Sequence, residues 1–325
     1  MNGGLGNQVF QYIFARYIEE TTKTRVLIDD HVFFMTKDDT LNRAPNMPGV
    51  AGQTRHNGYE IDYVFPHARP SLLSDFFDPD VWRRLVAKAK ESNGGMANIA
   101  QQLLDTGIDL TMVVEAADPR TLAFTGTKLM TTGNRFNSSV IQVPENTYFY
   151  GYWINPGWFN SYRDIFREEL SFRPIEDRRN KEYENEIRGS LSIGVHIRRG
   201  DFVLRDWAVP ESCYFEAVTE LKNLFPGAAW FVFSDDIEWC KSNIVQLGLS
   251  KKSTVFVEGN YDFRNNYIDL QLMTMCKVLV VGASSFSYLA CILNETPDFT
   301  AILTRDALLE DIQMKPTDYR RFKFQ

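Results

Sequence analysis

The sequence predicts an α/β fold built on a doubly wound parallel sheet, and three observations predict it. From residue 191 onward, short β-branched runs alternate with helical stretches at the spacing of strand–crossover–strand units. Each run ends in polar residues or glycine. Charged and hydroxyl side chains therefore collect at the carboxyl edge of the sheet, where open parallel sheets bind ligands. The chain also opens on Gly3-Gly4-Leu5-Gly6-Asn7-Gln8, a glycine-rich turn that feeds straight into a helix.

The central stretch is 191–202, which reads Leu-Ser-Ile-Gly-Val-His-Ile-Arg-Arg-Gly-Asp-Phe. Leu191, Ile193, Val195 and Ile197 share one face of a buried strand. The strand runs into Arg198, Arg199, Gly200 and Asp201. Two forked guanidiniums at a strand end suit phosphate oxygens, and the competing reading is a surface turn held by an Arg–Asp pair. Arg199 is expected to diverge from Arg198 and pair internally, since successive residues leaving a strand point apart.

Further strands are predicted at 229–233, 254–257, 278–281 and 300–303, with helices through residue 247 and over 266–276 and 286–293. The first three of these strands end in Ser234-Asp235-Asp236, Glu258-Gly259-Asn260 and Gly282-Ala283-Ser284-Ser285. Arg198, Asp235 or Asp236, and Ser284 or Ser285 then converge on one edge, as a nucleotide site requires. Each serine alone reads equally well as a helix N-cap.

In the first half, Val9, Phe10, Ile13, Phe14, Tyr17 and Ile18 recur at helical spacing. A strand is predicted over 24–28, ending at Asp29 and Asp30. Only two residues precede the glycines, too few for the strand that completes a βαβ unit, so the native start is expected upstream. Residues 42–58 read as a loop, 80–91 and 98–104 as helices broken at Asn93-Gly94-Gly95, and 110–114 as a strand. Asp78-Pro79-Asp80 matches the metal-holding Asp-x-Asp triplet, but its place at a helix start favours capping. The aromatic run at 147–159 is either a buried strand or a sugar-binding surface, with a helix over 159–169. A charged helical connector over 176–190 marks a boundary. The expected domains are 1–175 on the acceptor side, 176–310 on the donor side, and a tail at 311–325 packing back on the first.

A net charge of −7 argues against a general nucleic-acid binder. The cysteines at 213, 240, 276 and 291 lack metal-site or disulfide-framework spacing, which fits reduced thiols in the cytoplasm. No run of 18 apolar residues and no signal-like start is present, so neither a membrane span nor a cleaved leader is expected.

Gly-Gly-Leu-Gly-Asn-Gln-Val-Phe-Gln-Tyr (3–12), Tyr-Phe-Tyr-Gly-Tyr-Trp (148–153), Val-His-Ile-Arg-Arg-Gly-Asp-Phe (195–202), Phe-Val-Phe-Ser-Asp-Asp (231–236) and Ser-Ser-Phe-Ser-Tyr-Leu-Ala (284–290) occur in this order. Together they resemble the family 11 glycosyltransferases, the α-1,2-fucosyltransferases, over nearly the whole chain. The resemblance implies a GT-B-like fold, two Rossmann-like domains facing across a cleft. It implies inverting transfer of L-fucose from GDP-fucose to the 2-hydroxyl of a β-galactoside, with no metal or other cofactor. By the same resemblance Arg198 holds the donor β-phosphate, His196 and Asp236 lie at the guanosine end, and Ser285 contacts phosphate. The loop Gly4, Leu5, Gly6 and Asn7 faces the pyrophosphate from the other domain. Two departures stand out: no strand precedes the glycines, and Ser287-Tyr288 replaces paired tryptophans.

Arg198 is the expected stabiliser of the leaving diphosphate, aided by the N–H groups near Ser284 and Ser285. Asp201 is the candidate base, although pairing with Arg199 is its competing role; Glu60 and Asp62 are less supported. The partners expected are GDP-fucose and a galactose-terminated glycan, with no nucleic acid. The basic-aromatic tail is read either as a peripheral contact with the inner membrane face or as packing on the first domain. Alternatives are a fucosyltransferase of another linkage, use of another GDP-sugar, or an impaired binding homologue.

Overall fold

A computed structural model of the chain describes residues 1, 3–34, 58–91, 98–115, 129–131, 136–204, 206–261, 265–303 and 320–323. Those before Phe172 form one compact unit and those from Phe172 onward a second. Each carries its own sheet, parallel throughout in the first and in all but one pairing of the second, so the α/β class expected from the strand–helix alternation is the one observed.

The first unit begins with the helix Leu5–Thr22, entered through Gly3 at φ +83° and an extended Gly4. A side chain at Gly3 would be strained by that φ, and its Cβ would lie 2.5 Å from Asn7 Nδ2. Val9, Phe10, Ile13, Phe14 and Tyr17 are buried, as their spacing predicted. Lys23 ends the helix in the left-handed region, its N–H donating to the Glu19 carbonyl at 2.8 Å.

The strand expected over 24–28 is not formed. Ile28 makes one isolated parallel bridge to Leu72, while Thr24, Arg25 and Leu27 are exposed. The sheet is instead β1 (Thr111–Val114), β2 (Leu129–Thr131) and β3 (Thr147–Tyr150), all parallel in the order β2-β1-β3. The helices Pro79–Glu91 and Asn98–Asp105 match expectation. Asp78 caps the first of them, accepting from Asp80 N at 2.9 Å, so this aspartate serves the helix start. The loop expected over 42–58 lies outside the described residues except for Gly58, and the break at 93–95 lies wholly outside them.

Of the aromatic run, Trp153, Trp158 and Phe159 are buried, Tyr148, Phe149 and Tyr150 are half-buried and Tyr152 is exposed. Trp153 stacks on Phe14 at 4.0 Å, and Trp158 meets Phe14 and Tyr17 edge-on, each at 4.9 Å. Two helices, Pro156–Ser161 and Arg163–Glu169, replace the single one expected over 159–169. Tyr162, at φ −138° and ψ 44°, interrupts them.

The second unit opens with the helix Arg178–Arg188, capped by Asp177. Its sheet contains β4 (Ser192–Ile197), β5 (Ala229–Ser234), β6 (Thr254–Phe256), β7 (Val278–Val281), β8 (Thr300–Leu303) and β9 (Arg320–Lys323). The order is β6-β5-β4-β7-β8-β9, with β9 antiparallel and every other pairing parallel. The tail is expected either to touch a membrane surface or to pack on the first domain, and of 311–325 only Arg320–Lys323 are among the described residues. Its residues Arg320–Lys323 instead hydrogen-bond along β8 as an edge strand, which satisfies backbone groups that a parallel edge leaves open.

Ile193, Val195 and Ile197 face one core with Cys213, Tyr214, Ala217, Val218 and Leu221 from the helix Glu211–Leu224, an element the sequence reading did not place. Gly194 and His196 point to the other face. There Leu279 Cδ2 lies 2.6 Å from where a Cβ on Gly194 would be. All four cysteines are buried free thiols. From β4 the chain winds out through β5 and β6, then returns to the other side of β4 with β7 and β8. The topological switch point therefore lies between β4 and β7, above the strand ends that carry Arg198 and Ser284.

Candidate active site

Ile197 of β4 and Ser234 of β5 are register partners, so the two strands end level. Beyond them the backbone ladder stops and side chains take over. Ser234 Oγ donates to the Ile197 carbonyl at 2.7 Å and accepts from Asp236 N at 3.0 Å. Asp235 Oδ1 accepts from the backbone N–H of Arg199 at 2.8 Å, and its Oδ2 sits 2.9 Å from Arg198 Nη1. Gly200 leaves room for this arrangement, because a Cβ there would meet Asp235 Oδ2 at 2.5 Å.

Arg198 also donates through Nη2 to Asp201 Oδ1 at 2.8 Å, and its side chain remains about one-third exposed. A guanidinium has five N–H groups, so these two contacts leave three for a ligand. Asp201, expected as base or as partner of Arg199, is thus a partner of Arg198 and nearly buried. Arg199 diverges as expected. Its guanidinium lies over the Trp239 ring at 3.5 Å, with Nε 3.5 Å from Asp236 Oδ2 and Nη1 4.0 Å from Glu211 Oε1. Asp236 additionally caps the helix Ile237–Ser242, accepting from Trp239 N at 3.2 Å.

His196 is buried on the opposite face of β4, its ring centroid 5.9 Å from that of Phe286. Burial, reinforced by the charge of Arg198, pushes its imidazole down to about 3, so it is neutral at ordinary pH. Its Nδ1 is a buried polar atom without a hydrogen-bond partner. Ser284 stands at the N-cap of Ser285–Leu293 without a side-chain capping bond, leaving the first-turn N–H groups uncapped at the sheet's carboxyl edge. Ser285 opens that helix and is half-buried. Arg198, Asp201, Asp235 and Asp236 thus form one connected cluster, while His196, Ser284 and Ser285 belong to the β4–β7 side of the same sheet.

Gly4, Leu5, Gly6 and Asn7 belong to the first unit, at the start of Leu5–Thr22. The residue that organises this loop is Gln8, which sequence reasoning passed over. Fully buried, its Nε2 donates to the carbonyls of Gly3 at 2.9 Å and Gly58 at 2.7 Å, and its Oε1 accepts from Glu60 N at 3.0 Å. The signal was present: position 8 lies on the apolar stripe with Leu5 and Tyr12, where a polar residue must find internal partners. Glu60 is buried, whereas Asp62 is exposed and accepts from Tyr59 at 2.8 Å. Among the described residues, no group of acidic, histidine or cysteine side chains is arranged to hold a metal ion. No helix among them is long and apolar enough to cross a membrane.

The family signature of Glycosyl transferase family 11 matches residues 130–315, more than half of the chain. The chain belongs to glycosyl transferase family 11. An alpha-1,2-colitosyltransferase of Escherichia coli is 35% identical over 147 residues, 43% of this chain and 49% of the relative, so the match spans about half of that relative's length. The O-antigen biosynthesis glycosyltransferase WbnK of Escherichia coli is 23% identical over 323 residues, covering 94% of this chain and 92% of that one. The galactoside alpha-(1,2)-fucosyltransferase 1 of Saimiri boliviensis boliviensis is 28% identical over 107 residues, 31% of this chain and 28% of its own. Among solved structures, NodZ alpha-1,6-fucosyltransferase soaked with GDP-fucose aligns over 98% of this chain and 95% of its own, at 15% identity and a TM-score of 0.46.

Proposed function

We propose that this family 11 glycosyltransferase moves L-fucose from GDP-fucose to the 2-hydroxyl of a terminal β-galactoside, with inversion and without a metal. The observation that carries the reading is Arg198. Its partly exposed guanidinium stands beyond the carboxyl end of β4, next to the switch point, with N–H groups to spare. The uncapped first turn of Ser285–Leu293 leaves the neighbouring strand's end on the same edge.

When the bond between the sugar's anomeric carbon and the diphosphate oxygen breaks, negative charge grows on the departing GDP. Fixed donors directed at that charge lower the barrier because they need no reorganisation. Arg198 and the first-turn N–H groups supply them. Neutral His196 adds no charge and suits a hydrogen bond toward the nucleoside. Asp236 supports the guanosine end. The acceptor is a galactose-terminated glycan built at the cytoplasmic face of a bacterial membrane. Asp201 is tied to Arg198, so its first task in this reading is to hold the arginine; its use as acceptor base requires that this pair open.

The test is transfer from GDP-fucose to β-galactosides, with linkage analysis of the product. Arg198→Ala is expected to lower turnover by roughly 10²–10³-fold, the scale of losing one transition-state donor. Near-normal turnover in a folded Arg198→Ala protein would overturn the reading. The 35%-identical colitosyltransferase favours a second reading in which the donor sugar is colitose. Side-by-side turnover with the two GDP-sugars separates them.

A further inference from the structure

We propose that Asp235 is a positioning residue: its carboxylate sets the plane of the Arg198 guanidinium and the path of the turn through Gly200, and does not itself bind the donor. The inference rests on the reading that Arg198 meets the donor diphosphate.

Three consecutive residues at the end of β5 reach residues 197–199 at the end of β4. Ser234 holds the Ile197 carbonyl, Asp235 holds both the Arg199 N–H and the Arg198 side chain, and Asp236 approaches the Arg199 guanidinium. These contacts begin where the β4–β5 ladder ends, so they continue the registration of two strands that no longer share backbone bonds. Within the triplet Asp235 is the one whose two carboxylate oxygens are both engaged by the end of β4. One oxygen is bound by a backbone N–H, the other by Arg198, and that second oxygen fills the space a Cβ would need at residue 200. Its side chain is 11% exposed against 32% for Arg198. A carboxylate is also repelled by a diphosphate, whereas one bonded behind the guanidinium orients it and leaves its outer N–H groups for the anion.

The experiment is a double-mutant cycle on GDP affinity, measured by titration calorimetry on the full chain with Arg198→Ala, Asp235→Ala and the double variant. In the presence of Arg198, Asp235→Ala is expected to weaken GDP binding roughly tenfold and to lower kcat, with the acceptor KM unchanged. In the Arg198→Ala background the same change is expected to have a much smaller effect, only that of the turn held through the Arg199 N–H, because the side chain it positions has gone. An equal loss in both backgrounds would overturn the inference, since Asp235 would then not act through Arg198. Unchanged affinity and kcat in Asp235→Ala would overturn it as well. Should Asp235→Ala fail to fold, Asp235→Asn keeps an acceptor for Arg199 N while removing the charge beside Arg198, and the same cycle applies. Failure of the underlying reading looks different: Arg198→Ala alone would then bind GDP like the parent protein.

Discussion

The guanidinium carbon of Arg199 lies 3.5 Å from the centroid of the Trp239 ring, although its neighbour Arg198 turns toward Asp201 and Asp235. Two adjacent arginines thus hold different posts. Arg199 joins the end of β4 to the helix Ile237–Ser242 by stacking, and Arg198 is left toward the ligand edge.

Arg199→Lys is therefore not a conservative change. An ammonium cannot lie flat on the indole, and the partly buried cation–π contact is worth about 1 kcal/mol. The free energy of unfolding is expected to fall by up to that amount while kcat stays within a few-fold of the parent. A loss of turnover like that of Arg198→Ala, at unchanged stability, would show that the two arginines share one role.

Gln8 supports a prediction in the first unit. Gln8→Ala leaves two carbonyls and one backbone N–H without their partner in a fully buried place. Each orphaned group costs about 1–3 kcal/mol, so a loss of about 3 kcal/mol or more is expected in urea denaturation. Gln8→Glu should be at least as damaging, since a carboxylate would face the Gly3 and Gly58 carbonyls with no proton to donate. An unfolding free energy within about 0.5 kcal/mol of the parent's, on the scale of ordinary surface changes, would contradict this role.

The second unit was far more legible in the sequence than the first, for physical reasons. Val278–Val281 and Thr300–Leu303 are compact apolar runs bounded by polar residues, and their limits match the expected ones. Glu211–Leu224 was overlooked because its buried positions include Cys213, Tyr214 and Ala217, which make a weaker stripe than leucines do. Residues 24–28 look like a strand by composition, but among the described residues the bridge from Ile28 to Leu72 is all the sheet pairing they make. Arg198 could be singled out from its place at a strand end. Its pairing with Asp201, three residues on, falls within the Arg–Asp turn that the sequence also offers, but its bond to Asp235 does not, because that depends on Ile197 and Ser234 standing level across two strands whose register is set by the whole sheet.

Stability should respond to pH through two buried groups of opposite sign in the second unit. His196 titrates at about 3 in the folded chain against 6.5 ordinarily, through burial and then the charge of Arg198. Between those values the unfolded chain holds a proton that the folded one lacks, so His196 makes stability fall as pH drops below 6.5. Asp269, bonded to Asn260 Nδ2 at 2.7 Å, is pushed up by burial to about 7 from 3.8. There the folded chain keeps a proton that the unfolded chain has lost, so Asp269 makes stability fall as pH rises from 3.8 through 7. The two slopes oppose one another from about pH 4 to 6.5, and single variants separate them. In His196→Gln the Tm is expected to decline steadily from pH 4 to 7. In Asp269→Asn it is expected to climb toward pH 6.5 and to exceed that of the parent at pH 8. Calorimetric scans across this range decide the matter. If both variants reproduce the parent's pH profile, neither group carries the shift that its burial implies.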